Sequence, residues 1–199
     1  MKGVDAVAKA ILSSSDRQYT VPGYPITRLG ELCRADMVIN EKTALEYALG
    51  DSLSGRRAAV IIKNVGVNAC ADPLLQATAQ GLIGGVVLVA GDDPDATGSQ
   101  TAQDSRYYGE IAEIPVVEPD RETCFSGIEA AFEVSEQFSR VSMVRLTPPL
   151  LEASSGGRPT QTPFFQYPGT VTFAAVKLTP PAYRPTEPCG LGVTTSTAS

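Results

Sequence analysis

Apolar positions over the first 150 residues alternate between helical and strand spacing. Val4, Val7, Ala8, Ile11 and Leu12 recur every three to four residues, which predicts a helix over 3–14 with one apolar face. Tyr19-Thr20-Val21 reads as a short strand closed by the turn signal Pro22-Gly23-Tyr24-Pro25. Thr27 is placed to cap a helix reaching about Cys33, and Met37 to Asn40 is the next strand. Lys42 to Leu53 returns to helical spacing, with Leu45, Leu49 and Leu53 on one side and Gly55 closing the unit. Ala58 to Ile62 and Val86 to Ala90 are continuous apolar runs of strand length, the pattern of parallel strands covered on both faces. Between them Asp72 to Gly81 is helical, and Pro73 is tolerated in its first turn because an amide hydrogen there has no partner to lose. A strand at Pro115-Val116-Val117, a helix over Arg121 to Phe138 and a strand over Val141 to Leu146 complete the series. Such alternation predicts an α/β fold: three layers, α/β/α, around a mainly parallel sheet with right-handed crossovers.

After Pro148-Pro149 the character changes. Residues 153–170 and the stretch from Thr179 are rich in Ser, Gly, Thr and Pro, which predicts an extended arm rather than a second core. Val171 to Leu178 is the one segment there with the makings of an added strand. The organisation expected is therefore a domain over 1–150 and an arm over 151–199, the arm either crossing a partner subunit or free.

Composition narrows the function. A chain of 199 residues holds one domain with a sizeable core, and not two of ordinary size. The formal net charge of −6 and scattered basic residues exclude an electrostatic nucleic-acid surface and an anionic-membrane binder. No apolar run approaches the roughly 18 to 20 residues of a membrane span, and the amphipathic start is not a secretory signal, so a cytoplasmic location is expected. There is no histidine, which removes Ser-His-Asp and Cys-His chemistry. Cys33, Cys70, Cys124 and Cys189 are far apart and form no CxxC pair, so neither an iron-sulfur cluster, a zinc site nor a disulfide framework is expected. Cys33, Cys70 and Cys124 stand among apolar or small residues and read as buried structural thiols.

Chemistry concentrates at Val38-Ile39-Asn40-Glu41-Lys42, where an apolar run delivers a carboxylate to the start of a helix. Alone, Glu41 reads first as a carboxylate favoured there by the helix macrodipole, since glutamates at helix starts are common. Pro22-Gly23-Tyr24-Pro25 falls at the carboxyl end of the first strand, where open α/β sheets bind ligands. Lys63-Asn64-Val65-Gly66-Val67-Asn68 has the form of a strand end running into a glycine-permitted loop, with backbone amides and two asparagines offered to a ligand. Asp92 and Asp93 read as a loop end with local hydrogen bonds. Ser99 to Tyr108 is a polar surface loop entering a helix.

These segments, with Ala69-Cys70-Ala71-Asp72-Pro73, Val86 to Pro94 and Ser99-Gln100-Thr101-Ala102-Gln103-Asp104-Ser105-Arg106-Tyr107-Tyr108, resemble the pyrimidine-binding domain of thiamine-diphosphate enzymes. Most closely they resemble that of the 2-oxoacid:ferredoxin oxidoreductases, in the alpha subunit of indolepyruvate ferredoxin oxidoreductase. The resemblance covers roughly residues 3–150 and is strongest from Asn40 to Pro119. It implies that Glu41 hydrogen-bonds the N1′ atom of the cofactor's aminopyrimidine ring. It also implies that Gly23, Tyr24, Pro25, Asn64, Gly66 and Asn68 line the cofactor side of the site. The turn departs from the Tyr-Pro-Gly order of similar proteins, and Asn64 stands where relatives usually carry histidine, which leaves the exact reaction open.

In this superfamily the metal and diphosphate are held by the other domain, through a Gly-Asp-Gly segment and a later asparagine that this chain lacks. The resemblance therefore implies a stand-alone pyrimidine-binding subunit, inactive alone, with no metal ligand and no iron-sulfur cluster of its own. It implies a diphosphate-binding partner subunit that supplies magnesium, assembly as a homodimer or heterotetramer, and a small 2-oxo acid as substrate. Two alternatives stay open: the equivalent subunit of a non-oxidative decarboxylase similar to sulfopyruvate decarboxylase, and a non-catalytic relic that binds a partner.

Overall fold

The computed structural model describes residues 2–153 and the backbone of 164–165. Its elements in chain order are α1 (Gly3–Ser14), β1 (Arg17–Thr20), α2 (Thr27–Leu32), β2 (Asp36–Met37), α3 (Glu41–Leu53), β3 (Ala58–Lys63), α4 (Asn64–Ala69) and α5 (Ala71–Gln80). There follow β4 (Val86–Gly91), α6 (Tyr107–Ile111), β5 (Val116–Glu118), α7 (Cys124–Phe138), β6 (Ser142–Leu146), α8 (Pro148–Glu152) and β7 (Phe164–Phe165). The strands form one sheet in the order β2-β1-β3-β4-β6-β5-β7. The first six are mutually parallel, and β7 is antiparallel on β5.

Strands β3 and β4 occupy the middle and are buried along almost their whole length, as their continuous apolar sequences require. Alternate side chains serve opposite faces. Ala59, Ile61, Val87 and Val89 join Val7, Ile11, Leu29, Ile128 and Phe132 in the layer of α1, α2 and α7. Ala58, Val60, Ile62, Val86 and Leu88 join Leu45, Leu74 and Ile114 in the layer of α3, α5 and the end of α6. This division follows from handedness. Crossovers β1→β2 and β5→β6 run one way along the sheet and place α2 and α7 on one face. The crossovers β2→β3, β3→β4 and β4→β5 run the other way and place their helices on the other face.

Several expected elements differ locally. The strand expected over Met37 to Asn40 is Asp36–Met37, extended only by the bond from Val38 N to Thr20 O (3.2 Å), because Asn40 leaves the sheet to cap α3. Its side-chain oxygen accepts from Thr43 N at 2.9 Å, so α3 begins at Glu41. Thr27 does not cap α2; Ile26 holds that position and Thr27 is the first helical residue. The loop expected after β3 is a helix, α4, joined directly at Cys70 to α5. Helix α8 starts on Pro148 and packs Leu151 into the α1 layer. The strand expected over Val171 to Leu178, and Cys189, lie outside the described residues.

Candidate active site

The sheet reverses its order of construction between β1 and β3: the chain leaves β1 for β2 on one side and returns to β3 on the other. A crevice opens outside the carboxyl ends of two such strands, and it is the default ligand position in open α/β sheets. Three segments meet there. The turn Pro22–Pro25 follows β1, Glu41 opens α3 after β2, and Lys63 leads β3 into α4.

The turn carries a cis Tyr24–Pro25 peptide. Gly23 lies against the Lys63 side chain, where an added Cβ would fall 2.5 Å from Cδ, so the turn and the end of β3 are in direct contact. Pro25 and Ile26 pack where a side chain on Gly91 would stand, at the end of β4. Tyr24 is exposed on one edge, with its hydroxyl 3.3 Å from Glu152 Oε1. A cavity of about 370 Å³ adjoins this turn, lined by Lys2, Val4, Tyr24, Pro25, Arg28 and Leu151; neither Glu41 nor α4 takes part in it.

Glu41 is half-buried, and its carboxylate reaches α4 over Gly66, where a Cβ would meet Oε1 at 2.7 Å. Among the described residues, no hydrogen-bond donor and no cation engages that carboxylate. Its backbone is fixed instead: Cys70 Sγ donates to Glu41 O at 3.2 Å. Burial pushes the Cys70 thiol up to about 12, with Glu41 and Glu46 adding to the shift, so it stays protonated and serves as a donor.

Asn64 and Asn68, expected to face a ligand, are engaged with the chain itself. Asn64 is fully buried, and its amide donates to Thr101 O (3.1 Å) and Gln103 O (3.2 Å). Asn68 exchanges two hydrogen bonds with the Gln103 side chain, at 2.9 and 2.7 Å, and accepts a third from Tyr108 Oη at 2.7 Å. Lys63 Nζ donates to Gln100 Oε1 at 2.7 Å. All three residues therefore hold segment 92–106 across the end of the sheet.

The same segment is pinned from the other side. Asp93, buried, accepts from the backbone of Gly98 (2.7 Å) and Ser99 (2.9 Å) and from the Thr97 hydroxyl. Although burial pushes its carboxyl up, these donors hold it below the usual range. Asp92 is more than the local loop end that its sequence suggests: it accepts from Ser105 N and Oγ and from Arg145 Nε on β6, the last at 2.5 Å. Arg145 also bonds Glu118, and Arg106 joins Asp104 (2.5 Å) to Glu118 (3.5 Å). Sequence spacing gives no hint of this network, since its members come from four separate segments. Three carboxylates already committed to two guanidinium groups are poor ligands for a hard cation.

Comparison with known proteins fits this geometry. No family model matches. Indolepyruvate oxidoreductase subunit IorA of Archaeoglobus fulgidus is 38% identical over 167 residues, covering 76% of this chain and 27% of the relative. The IorA subunits of Thermococcus kodakarensis and Methanothermobacter marburgensis are each 34% identical, over 73% and 71% of the chain. The chain is homologous to part of subunit IorA. It spans about a quarter of the length of these relatives. A 2-oxoglutarate:ferredoxin oxidoreductase from Magnetococcus marinus shares the fold, with a TM-score of 0.60 and 16% identity over 76% of this chain and 30% of its own. The α/β fold of this chain is thus one that a 2-oxoacid:ferredoxin oxidoreductase also contains.

Proposed function

We propose that this chain supplies the pyrimidine-binding half of a thiamine-diphosphate-dependent 2-oxoacid oxidoreductase. The observation that carries the reading is Glu41: a half-buried carboxylate at the switch point, fixed in backbone and without a protein partner among the described residues. Such a group is available to a ligand donor. The residues fit the pyrimidine side of the cofactor and not its diphosphate side, because Asp92, Asp104 and Glu118 are taken by arginine and Asp93 by its own loop.

When bound, thiamine diphosphate supplies the carbanion chemistry for decarboxylating a 2-oxo acid. Glu41 holds a proton between its carboxyl group and N1′ of the aminopyrimidine. Gly66 leaves the room in which that carboxylate lies. Lys63, Asn64 and Asn68 act one step back, holding segment 92–106 so that Gly23, Tyr24 and Pro25 keep their place beside the crevice. The magnesium and diphosphate ligands come from a diphosphate-binding unit outside the described residues, and the described domain is inactive without it. Electrons leave through ferredoxin by clusters carried elsewhere.

Calorimetry separates this account from a self-sufficient site. Because the charged diphosphate end supplies much of the affinity, the chain alone is expected to bind magnesium thiamine diphosphate more weakly than about 1 mM, and tightly only with its partner. Micromolar, magnesium-dependent binding by the chain alone would contradict the reading.

A further inference from the structure

Gly66 stands in the interior of α4, buried, at a helical backbone conformation that any residue adopts; the described glycines with positive φ are Gly55 and Gly81. Glycine in a helix interior weakens folding roughly two- to fivefold relative to alanine, so its presence here calls for a steric reason. The three atoms nearest to an ideal Cβ on Gly66 all belong to one side chain: Glu41 Cγ at 2.6 Å, Oε1 at 2.7 Å and Cδ at 2.9 Å. All lie well inside contact distance. The same short helix grips Glu41 a second time, through the bond from Cys70 Sγ to its carbonyl. The N-cap bond of Asn40 fixes the start of α3 from the other side.

We propose that Gly66 is a positioning residue: the missing side chain forms a slot that sets where the Glu41 carboxylate lies. This inference rests on the proposed role of Glu41. An alanine at 66 is accommodated most cheaply when the Glu41 side chain turns out of the slot, since backbone on both sides is held. The fold then survives and the carboxylate moves.

A double-mutant cycle on the full chain tests the slot without cofactor. Gly66→Ala, Glu41→Ala and the double variant are compared by urea unfolding. In the Glu41→Ala background, alanine at 66 is expected to raise the folding equilibrium constant two- to fivefold. With Glu41 present it is expected to leave the constant level or lower it. Failure of Gly66→Ala to fold while the double variant folds is the same result in stronger form. An equal change in both backgrounds, or failure of both to fold, would overturn the proposal. The positional readout is exchange of the thiazolium C2 proton with the partner present. Gly66→Ala is expected to slow it at least tenfold while cofactor affinity changes less than threefold. Unchanged exchange in Gly66→Ala, with exchange slowed in Glu41→Gln, would also overturn it. Should Glu41→Gln itself exchange normally, the proposed role of Glu41 falls, and the stability cycle alone decides on the slot.

Discussion

Asn64 shows how a buried polar residue organises a surface loop. Its amide satisfies two carbonyls of segment 92–106 at once, from a side chain with no solvent contact. Removing it leaves Thr101 O and Gln103 O without these donors, and such losses run at about 1–3 kcal/mol for buried groups. Asn64→Ala is therefore expected to speed amide exchange about tenfold or more across 99–106 while leaving the centre of β3 protected. Uniform acceleration over the whole chain would point to global destabilisation instead of a local latch. Glu41 and Gly66 stood out in the sequence through the family resemblance, because a carboxylate at a helix start and a glycine after a strand are by themselves common local signals. Asn64 was also visible, but its task was not: an asparagine reads the same whether it faces a ligand or the protein, and here the partners lie nearly 40 residues away.

At the scale of elements, the central strands and long helices were legible because apolar spacing reports burial directly. Helix α4 was not. Its sequence, Asn64 to Ala69, contains a glycine and two asparagines, poor helix formers, and the conformation is set by tertiary contacts of Gly66, Val67 and Asn64. The strand expected over Met37 to Asn40 was shortened by a competing local interaction, the cap of Asn40 on α3. Segment 92–106 was legible only as polar, although a long connection without regular structure commonly carries function. Its acid sensitivity follows from Asp104. The hydrogen bonds from Arg106 hold that carboxyl below its ordinary value against the opposing effect of burial, and the Arg145 charge helps. Asp92 and Glu118, which share these arginines, face it across the network.

A depressed folded value means the stabilisation is fully present above the unfolded carboxyl value of about 3.9 and is lost as pH falls through the folded one. Amide protection of 99–106 should thus be steady above about pH 5 and decline below about pH 4. Asp104→Asn should lower protection at pH 7 and differ less from the parent in strong acid. An equal difference at pH 7 and pH 2 would exclude an ionic contribution.

For the whole molecule, the chain matches about a quarter of the length of its relatives, and the proposed function needs a diphosphate-binding unit beside the described domain. Met37 (73% exposed) and Ile39 (88%) leave the sheet edge just before Glu41, and Tyr47 (54%) lies on α3 behind it. Apolar side chains this exposed beside a candidate site favour a covered surface. A homodimer through this edge is expected in light scattering at tens of micromolar, and Ile39→Lys should weaken it at least tenfold without lowering the melting temperature of the monomer. A monomeric parent chain at that concentration would count against it.

The central claim is that Glu41 shares a proton with the cofactor. With the diphosphate-binding partner present, Glu41→Gln keeps the shape of the side chain but not its titratable proton, and loss of a positioned acid–base group costs on the order of 10²- to 10⁴-fold. The measurement is deuterium exchange at the thiazolium C2 position by NMR. Glu46→Gln serves as control, an exposed residue of the same helix paired only loosely with Lys42 at 3.8 Å. Exchange slowed at least a hundredfold in Glu41→Gln, with normal folding, normal cofactor affinity and a silent control, is the predicted result. Exchange as fast as in the unmodified complex would make Glu41 a helix-start carboxylate and nothing more.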